Sequence, residues 1–183
     1  MIAPALVLFA VTLSGGALMT FLPQLTDSST VAFFALLLLG LVAAIGRWRI
    51  GRVADRRGAG RLLLPLLLTV VVGLLLAALA VAGDQDPNTW LLLTAVLVVG
   101  IGYGTLQNLT LLVALSRVAS RDYGRASAIW NVGFDAGTGL GAVVFGFVAT
   151  SGGFGMAFLV LGGLAAAAVP LTRRSHTQPE ATG

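Results

Sequence analysis

The chain has 183 residues, 57% of them hydrophobic and 10% charged, with a formal net charge of +4 and a mean hydropathy of +0.97. Soluble domains carry roughly 25% charged residues to wet their surface, so this composition excludes a water-soluble globular protein. No Cys is present, which removes disulfides, thiolate catalysis and Cys-ligated metals.

Lipid admits only helical bundles and closed barrels as spanning structures, because every backbone polar group must be satisfied internally. The apolar segments here are long blocks and not alternating strands, so the expected fold is an all-α membrane protein of six transmembrane helices. The first span covers residues 2–22 and stops at Pro23; no Lys or Arg precedes it, which argues for a retained helix over a cleaved signal. In the polar loop that follows, Asp27 or Ser28 is placed to cap the next helix.

The second span is read as 30–52. Its uncharged part ends at Gly46, about 25 Å at 1.5 Å per residue, short of a ~30 Å hydrocarbon core. The helix therefore continues past Arg47 and Arg49, whose charges snorkel to headgroups or face a wet cavity. The third span is 62–83, with Pro65 in its first turn. Asp86-Pro87 is the predicted cap of the fourth span, 89–116, and Trp90 sits as an interfacial aromatic. Spans at 126–150 and 154–171 follow, and a polar tail over 172–183 is expected to be disordered.

Charge placement supports the count. Six of the eleven basic residues fall in the sixteen positions from Gly46 to Arg61. On a six-span path all eleven Arg (47, 49, 52, 56, 57, 61, 117, 121, 125, 173, 174) lie on one side. The loops of the other side hold Asp27, Asp84 and Asp86. The positive-inside rule puts the Arg side and both termini in the cytoplasm of a cell (inner) membrane. The basicity is thus topological, and no nucleic-acid partner is expected.

Three plus three spans read as an inverted repeat. The first helix of each triplet carries a small, polar interruption: Ser14-Gly15-Gly16 with Thr12 and Thr20, and Gly100-Ile101-Gly102-Tyr103-Gly104 followed by Gln107 and Asn108. Paired irregular helices point to a transport site, and the same glycines also serve close helix packing. Asp135 is the ionisable residue far from a span end, ten residues past Arg125 and so about 15 Å along a helix. A carboxylate there is costly in lipid and faces protein or water. Two readings stand for it: proton coupling or cation contact, and a hydrogen bond to another helix. Asn131 and Thr138 share its face by helical spacing, while Gly133, Gly137 and Gly141 form a GxxxGxxxG stripe for a neighbouring helix. Arg47, Thr20, Tyr103, Gln107, Asn108 and Asn131 are candidate cavity residues, with interhelical bonding as the alternative for the last four.

An intramembrane serine protease needs an embedded His base, and the single His is His176 in the polar tail. Metal catalysis lacks clustered ligands. No enzyme activity, cofactor or metal is expected.

The stretch Gly51-Arg52-Val53-Ala54-Asp55-Arg56-Arg57-Gly58-Ala59-Gly60-Arg61 resembles motif A of the major facilitator superfamily, G-x-x-x-D-R-x-G-R-K. Gly51, Asp55, Arg56 and Gly58 match; the basic pair departs, with Arg61 delayed behind Ala59-Gly60, which resembles the degenerate copy of the C-terminal half. GALMTFLPQL in the first span is similar to a seventh facilitator helix. Gly124-Arg125-Ala126-Ser127-Ala128, leading to Trp130-Asn131 and Asp135-Ala136-Gly137, is similar to the entry of an eleventh helix in drug-efflux members.

The resemblance covers about residues 2–171 and implies a C-terminal six-helix half of a twelve-helix fold. It implies secondary transport by alternating access, with small-molecule or drug efflux in exchange for protons. Gly51, Asp55, Arg56, Gly58 and Arg61 would be the gating loop, Asp55 meeting helix ends of the opposite half. The expected partners are the lipid bilayer, a small-molecule substrate, protons, and either the missing N-terminal half or a second copy of the chain. One-sided Arg placement argues against dual topology, so a stand-alone dimer acting as carrier, pore or structural subunit would be parallel, as the two halves of this fold are.

Overall fold

The computed structural model describes residues 2–83 and 86–173. The predicted tail from residue 174 onward, with Arg174 and His176, and Asp84 of the third loop lie outside the described residues. Six helices follow one another: α1 (Ile2–Phe21), α2 (Ser29–Arg57), α3 (Ala59–Ala80), α4 (Thr89–Leu115), α5 (Tyr123–Ala167) and the short α6 (Val169–Arg173). No strand occurs among the described residues. α1 to α5 are each long and apolar enough to cross a membrane.

Local chemistry sets most helix ends. The Ser28 hydroxyl accepts from the Val31 N–H at 3.3 Å and starts α2, one of the two caps expected there. Arg56 and Arg57 occupy the last turn of α2, where cations offset the exposed carbonyls and the negative end of the helix dipole. Gly58 then takes φ 81° and ψ 125° and separates α2 from α3 alone. The Arg-rich stretch is therefore a one-residue helical corner and not an open loop, because glycine accepts a positive φ without a Cβ clash.

Two expectations about caps change. Asn88, not Asp86-Pro87, caps α4, its side-chain oxygen accepting from the Leu91 N–H at 3.1 Å. Because α3 begins at Ala59, Pro65 lies inside the helix, beyond the first turn where its missing N–H would be harmless. One turn on, the Thr69 hydroxyl donates to the Pro65 carbonyl at 2.9 Å.

The predicted fifth and sixth spans are joined in α5, which breaks at Gly153 (φ 77°, ψ 170°). The limb over 123–152 lies along α1 in the same direction: Gly137 faces Phe9 and Thr12, and Gly141 faces Leu13. The limb over 154–167 runs against α3 in the opposite direction, Gly155 facing Ala78 and Val81, and Gly162 facing Leu74. α4 pairs with α2 in parallel, Gly100 against Leu39 and Val42, Gly104 against Ala43. With α3 it is antiparallel, Gly73 against Ala95 and Val99, Gly102 against Leu66 and Val70.

α1 is the centre of the bundle, buried without interruption from Val11 to Leu18. An aromatic cluster ties its end to both limbs of α5: Phe145 lies 4.8 Å from Phe21, 6.1 Å from Phe154 and 4.8 Å from Phe158 between ring centroids. Such pairs contribute about 0.5–1.5 kcal/mol each beyond area burial. The two glycine-rich runs expected to interrupt their helices do not: α1 and α4 are continuous through Ser14-Gly15-Gly16 and Gly100 to Gly104. These glycines bring neighbouring backbones close, which is the packing use of small residues in lipid, where apolar surface alone gives no drive to associate.

Candidate functional site

Four of the predicted cavity residues meet between α2 and α4. The Arg47 guanidinium donates to the Gln107 side-chain oxygen, and the Asn108 amide donates to the Arg47 carbonyl at 3.0 Å. Tyr103, one turn before Gln107, is 3% exposed, with its ring against Gly15 of α1 and its hydroxyl near the Gln107 side chain and Arg47. Parallel packing of α2 on α4 produces this meeting, because Gly104 lets Ala43 approach and sets Arg47 beside residues 107 and 108.

Gln107 is 2% exposed, and its amide nitrogen has no hydrogen-bond partner among the described residues. The Ser14 hydroxyl is a second buried polar group without one. A buried donor left unpaired costs on the order of 1–3 kcal/mol, so natural helices retain such groups where a ligand, a water or a second chain answers them.

Arg47 does not sit on the lipid-like side of α2. The outward side divides into a bulky stripe with Leu41, Ile45 and Trp48, and a small one with Gly40, Ala44 and Gly51, which share Arg47's helical face. Trp48 is 67% exposed and carries the Arg52 guanidinium over its ring at 5.1 Å, the pairing of an aromatic and a cation found at membrane interfaces.

The first limb of α5 repeats the division. Ile129, Val132, Leu140, Val143 and Phe147 make an exposed bulky stripe; beside it Ala128, Asn131, Asp135 and Gly139 make a small, polar one, also exposed. Asp135 enters no ion pair among the described residues. Asn131 donates to the Ser127 carbonyl at 3.0 Å within its own helix. Neighbour contacts fix the depth of Asp135. Trp130 donates to the Thr110 hydroxyl of α4 at 3.1 Å, Thr138 meets Gly16, and Gly15 meets Tyr103. Asp135 lies between the levels of Tyr103 and Thr110, the level also held by Gln107 and Arg47.

The other predicted residues stand apart. Thr20 is exposed near the end of α1 and donates to the Gly16 carbonyl at 2.9 Å. In the motif A stretch Gly51 and Asp55 are helical, Asp55, Arg56 and Arg61 are exposed, and Gly58 forms the corner. The Thr110–Trp130 bond joining α4 to α5 was not anticipated from sequence. The available signal was spacing alone, Thr110 following Gln107 by three on one helical face. Among the described residues no three ligating side chains come together to hold a metal.

The arrangement is that of a membrane bundle with a fixed cation, uncharged hydrogen-bonding groups and an acid at one depth, reached from the small-residue faces of two helices. No curated protein matches the chain. The family model described as Major Facilitator Superfamily matches residues 4–182, which takes in the polar layer, the helical corner and both limbs of α5. The chain is a multi-pass membrane protein of the Major Facilitator Superfamily, a transporter of the facilitator type.

Proposed function

We propose that the chain is the C-terminal six-helix half of a proton-coupled carrier that exports small molecules by alternating access. The reading rests on one observation above all: Arg47, Gln107 and Tyr103 share a membrane depth with Asp135, on helices whose small-residue faces lie open for a second six-helix unit. Secondary transporters bind substrate near the midplane, at the interface of their repeats.

Counting the break at Gly153 as a reversal makes six crossings over about residues 2–171. The direction of the second limb against α3 supports that count. A 3+3 inverted repeat is supported by exchange: α1 pairs in parallel with the first limb of α5, and α4 pairs in parallel with α2. Exchanging the first helices of the two triplets, and likewise the second, carries one pair onto the other. The Arg-rich corner faces the cytoplasm of the inner membrane in this reading. Gly51, Asp55, Arg56, Gly58 and Arg61 form the gate, Asp55 standing exposed for helix ends of the other half. Asp135 is the proton carrier, and Asn131 and Thr20 extend the cavity wall.

A parallel homodimer is the second reading, favoured by the two open small-residue faces on α2 and α5. The readings separate in proteoliposomes under an imposed pH gradient. Saturable transport by the purified chain alone supports the dimer. Transport that appears only when an N-terminal half is co-reconstituted, and that stops on adding an uncoupler, supports the half-carrier. Transport indifferent to the uncoupler sinks the proton-coupled reading.

A further inference from the structure

The polar layer between α2 and α4 has spare hydrogen-bonding capacity of one kind. A guanidinium offers five N–H donors and no acceptor, and Arg47 directs one nitrogen to the Gln107 oxygen. Because that nitrogen can only donate, the Gln107 amide must turn its oxygen to Arg47 and its NH2 away. The NH2 then has no hydrogen-bond partner among the described residues, on a side chain 2% exposed. Asn108 turns its NH2 to the Arg47 carbonyl at 3.0 Å, and among the described residues its side-chain oxygen accepts from neither group. Arg47 enters no ion pair among the described residues.

Donors held in place without acceptors favour an anion. The geometry points to Arg47, the Gln107 NH2 and the Tyr103 hydroxyl as an anion subsite, and to organic carboxylates as the substrate class; this rests on the transport reading above. A carboxylate brings two oxygens that fit the guanidinium fork, with lone pairs left for the amide and the hydroxyl. An amphipathic cation would instead meet like charge at Arg47 itself and find donors, not acceptors, around it. Gly40, Ala44 and Gly51 share the helical face of Arg47, so no bulky side chain of α2 screens Arg47 from a ligand arriving on that face. A lipid phosphate offers the same acceptor chemistry, and the test must tell it from a free carboxylate.

Arginine-selective labelling with phenylglyoxal distinguishes them in membranes from cells expressing the full chain, with modification at each Arg read by mass spectrometry. Arg47 should react before any ligand is added. Benzoate should slow its labelling by about tenfold at saturation, the factor that about 1.4 kcal/mol of contact supplies. Labelling of Arg52 and Arg56 should not change, and neither benzamide nor benzylamine should protect Arg47. The substitution Gln107→Glu, which places a carboxylate inside the subsite, should make Arg47 slow to label and indifferent to benzoate. Equal protection by benzoate and benzylamine overturns the inference. So does an Arg47 that is unreactive from the outset, because a headgroup or another carboxylate then already holds it. Protection reads binding alone: benzoate protection without transport sinks the carrier reading and keeps the subsite, whereas a working carrier without protection sinks the subsite.

Discussion

The Arg47 guanidinium and the Gln107 side-chain oxygen bond across the contact between α2 and α4, and the bond orients a buried amide whose nitrogen is left unpaired. It therefore does two jobs, holding two helices together and presenting donors.

The first job predicts a modest stability effect. Gln107→Leu removes an interhelical bond of a kind that contributes about 0.6 and at most about 1.7 kcal/mol in membranes. It also removes an unpaired buried donor, which offsets part of that loss. Thermal unfolding in detergent should drop by a few degrees at most. A collapse of the fold would mean that Gln107 anchors the bundle and is not primarily a ligand group.

The glycine stripe of α5 gives a paired test of packing. A Cβ at Gly141 would lie 2.6 Å from the Leu13 Cα, whereas one at Gly139 meets nothing within 4 Å. Gly141→Ala should therefore destabilise by about 1–3 kcal/mol, as overpacking does. Gly139→Ala should be neutral or stabilise by up to about 1 kcal/mol through helix propensity. Chemical unfolding of the two variants side by side checks the contrast; equal effects would show that α1 and α5 do not pack as described.

Much of this packing was legible in the sequence, and for a definite reason. Hydropathy reports which segments avoid water, so the apolar helices could be read directly, while side-chain type narrowed the cap of α2 to two neighbours, of which Ser28 serves. GxxxG spacing reports that a backbone approaches, so the Gly133, Gly137, Gly141 stripe could be read as a contact face, though not that α1 would be its partner. Composition does not encode which helix neighbours which, and so the Arg47–Gln107 bond, sixty residues apart, could be suspected only as two separate candidates. The continuity of α4 through Gly100, Gly102 and Gly104 was not legible either, because glycine both breaks helices and brings them together, and packing decides which.

The corner glycine and its motif partner should behave oppositely. Gly58 sits at φ 81°, a conformation that costs other residues on the order of 1–3 kcal/mol, so Gly58→Ala should lower stability by about that amount. Gly51 is helical, and a Cβ there meets nothing within 4 Å in this chain. Gly51→Ala should leave the purified chain as stable or up to about 1 kcal/mol more stable, yet impair transport once a second half packs on α2. Impaired stability of the isolated variant would show that Gly51 serves this bundle and not the gate.

Asp55 is exposed in the last turns of α2, beside Arg56. A carboxylate near a helix C-terminus is disfavoured by the dipole, so its presence is better explained by a partner on the other half than by local stability. Asp55→Asn should therefore leave thermal stability of the chain unchanged or slightly higher. In a complete carrier it should slow turnover more than it weakens substrate affinity. A variant with normal turnover and weakened affinity would assign Asp55 to binding and remove it from gating.

Asp135 carries the sharpest test of coupling. It stands on the small, polar face of α5 at the depth of Gln107, exposed and without an ion-pair partner among the described residues. A carboxylate at that depth is costly in lipid and persists where it meets water, substrate or protein. Asp135→Asn keeps the shape and hydrogen-bonding reach of the side chain and removes the proton site. In proteoliposomes holding a complete carrier, the variant should bind substrate with an affinity near that of the parent. It should equilibrate substrate passively, or not move it, and an imposed pH gradient should no longer drive accumulation. Simultaneous recording of substrate flux and interior pH checks this. If proton flux stays tied to substrate flux in the variant, coupling resides elsewhere, and Asp135 is left with a role in packing against the second half.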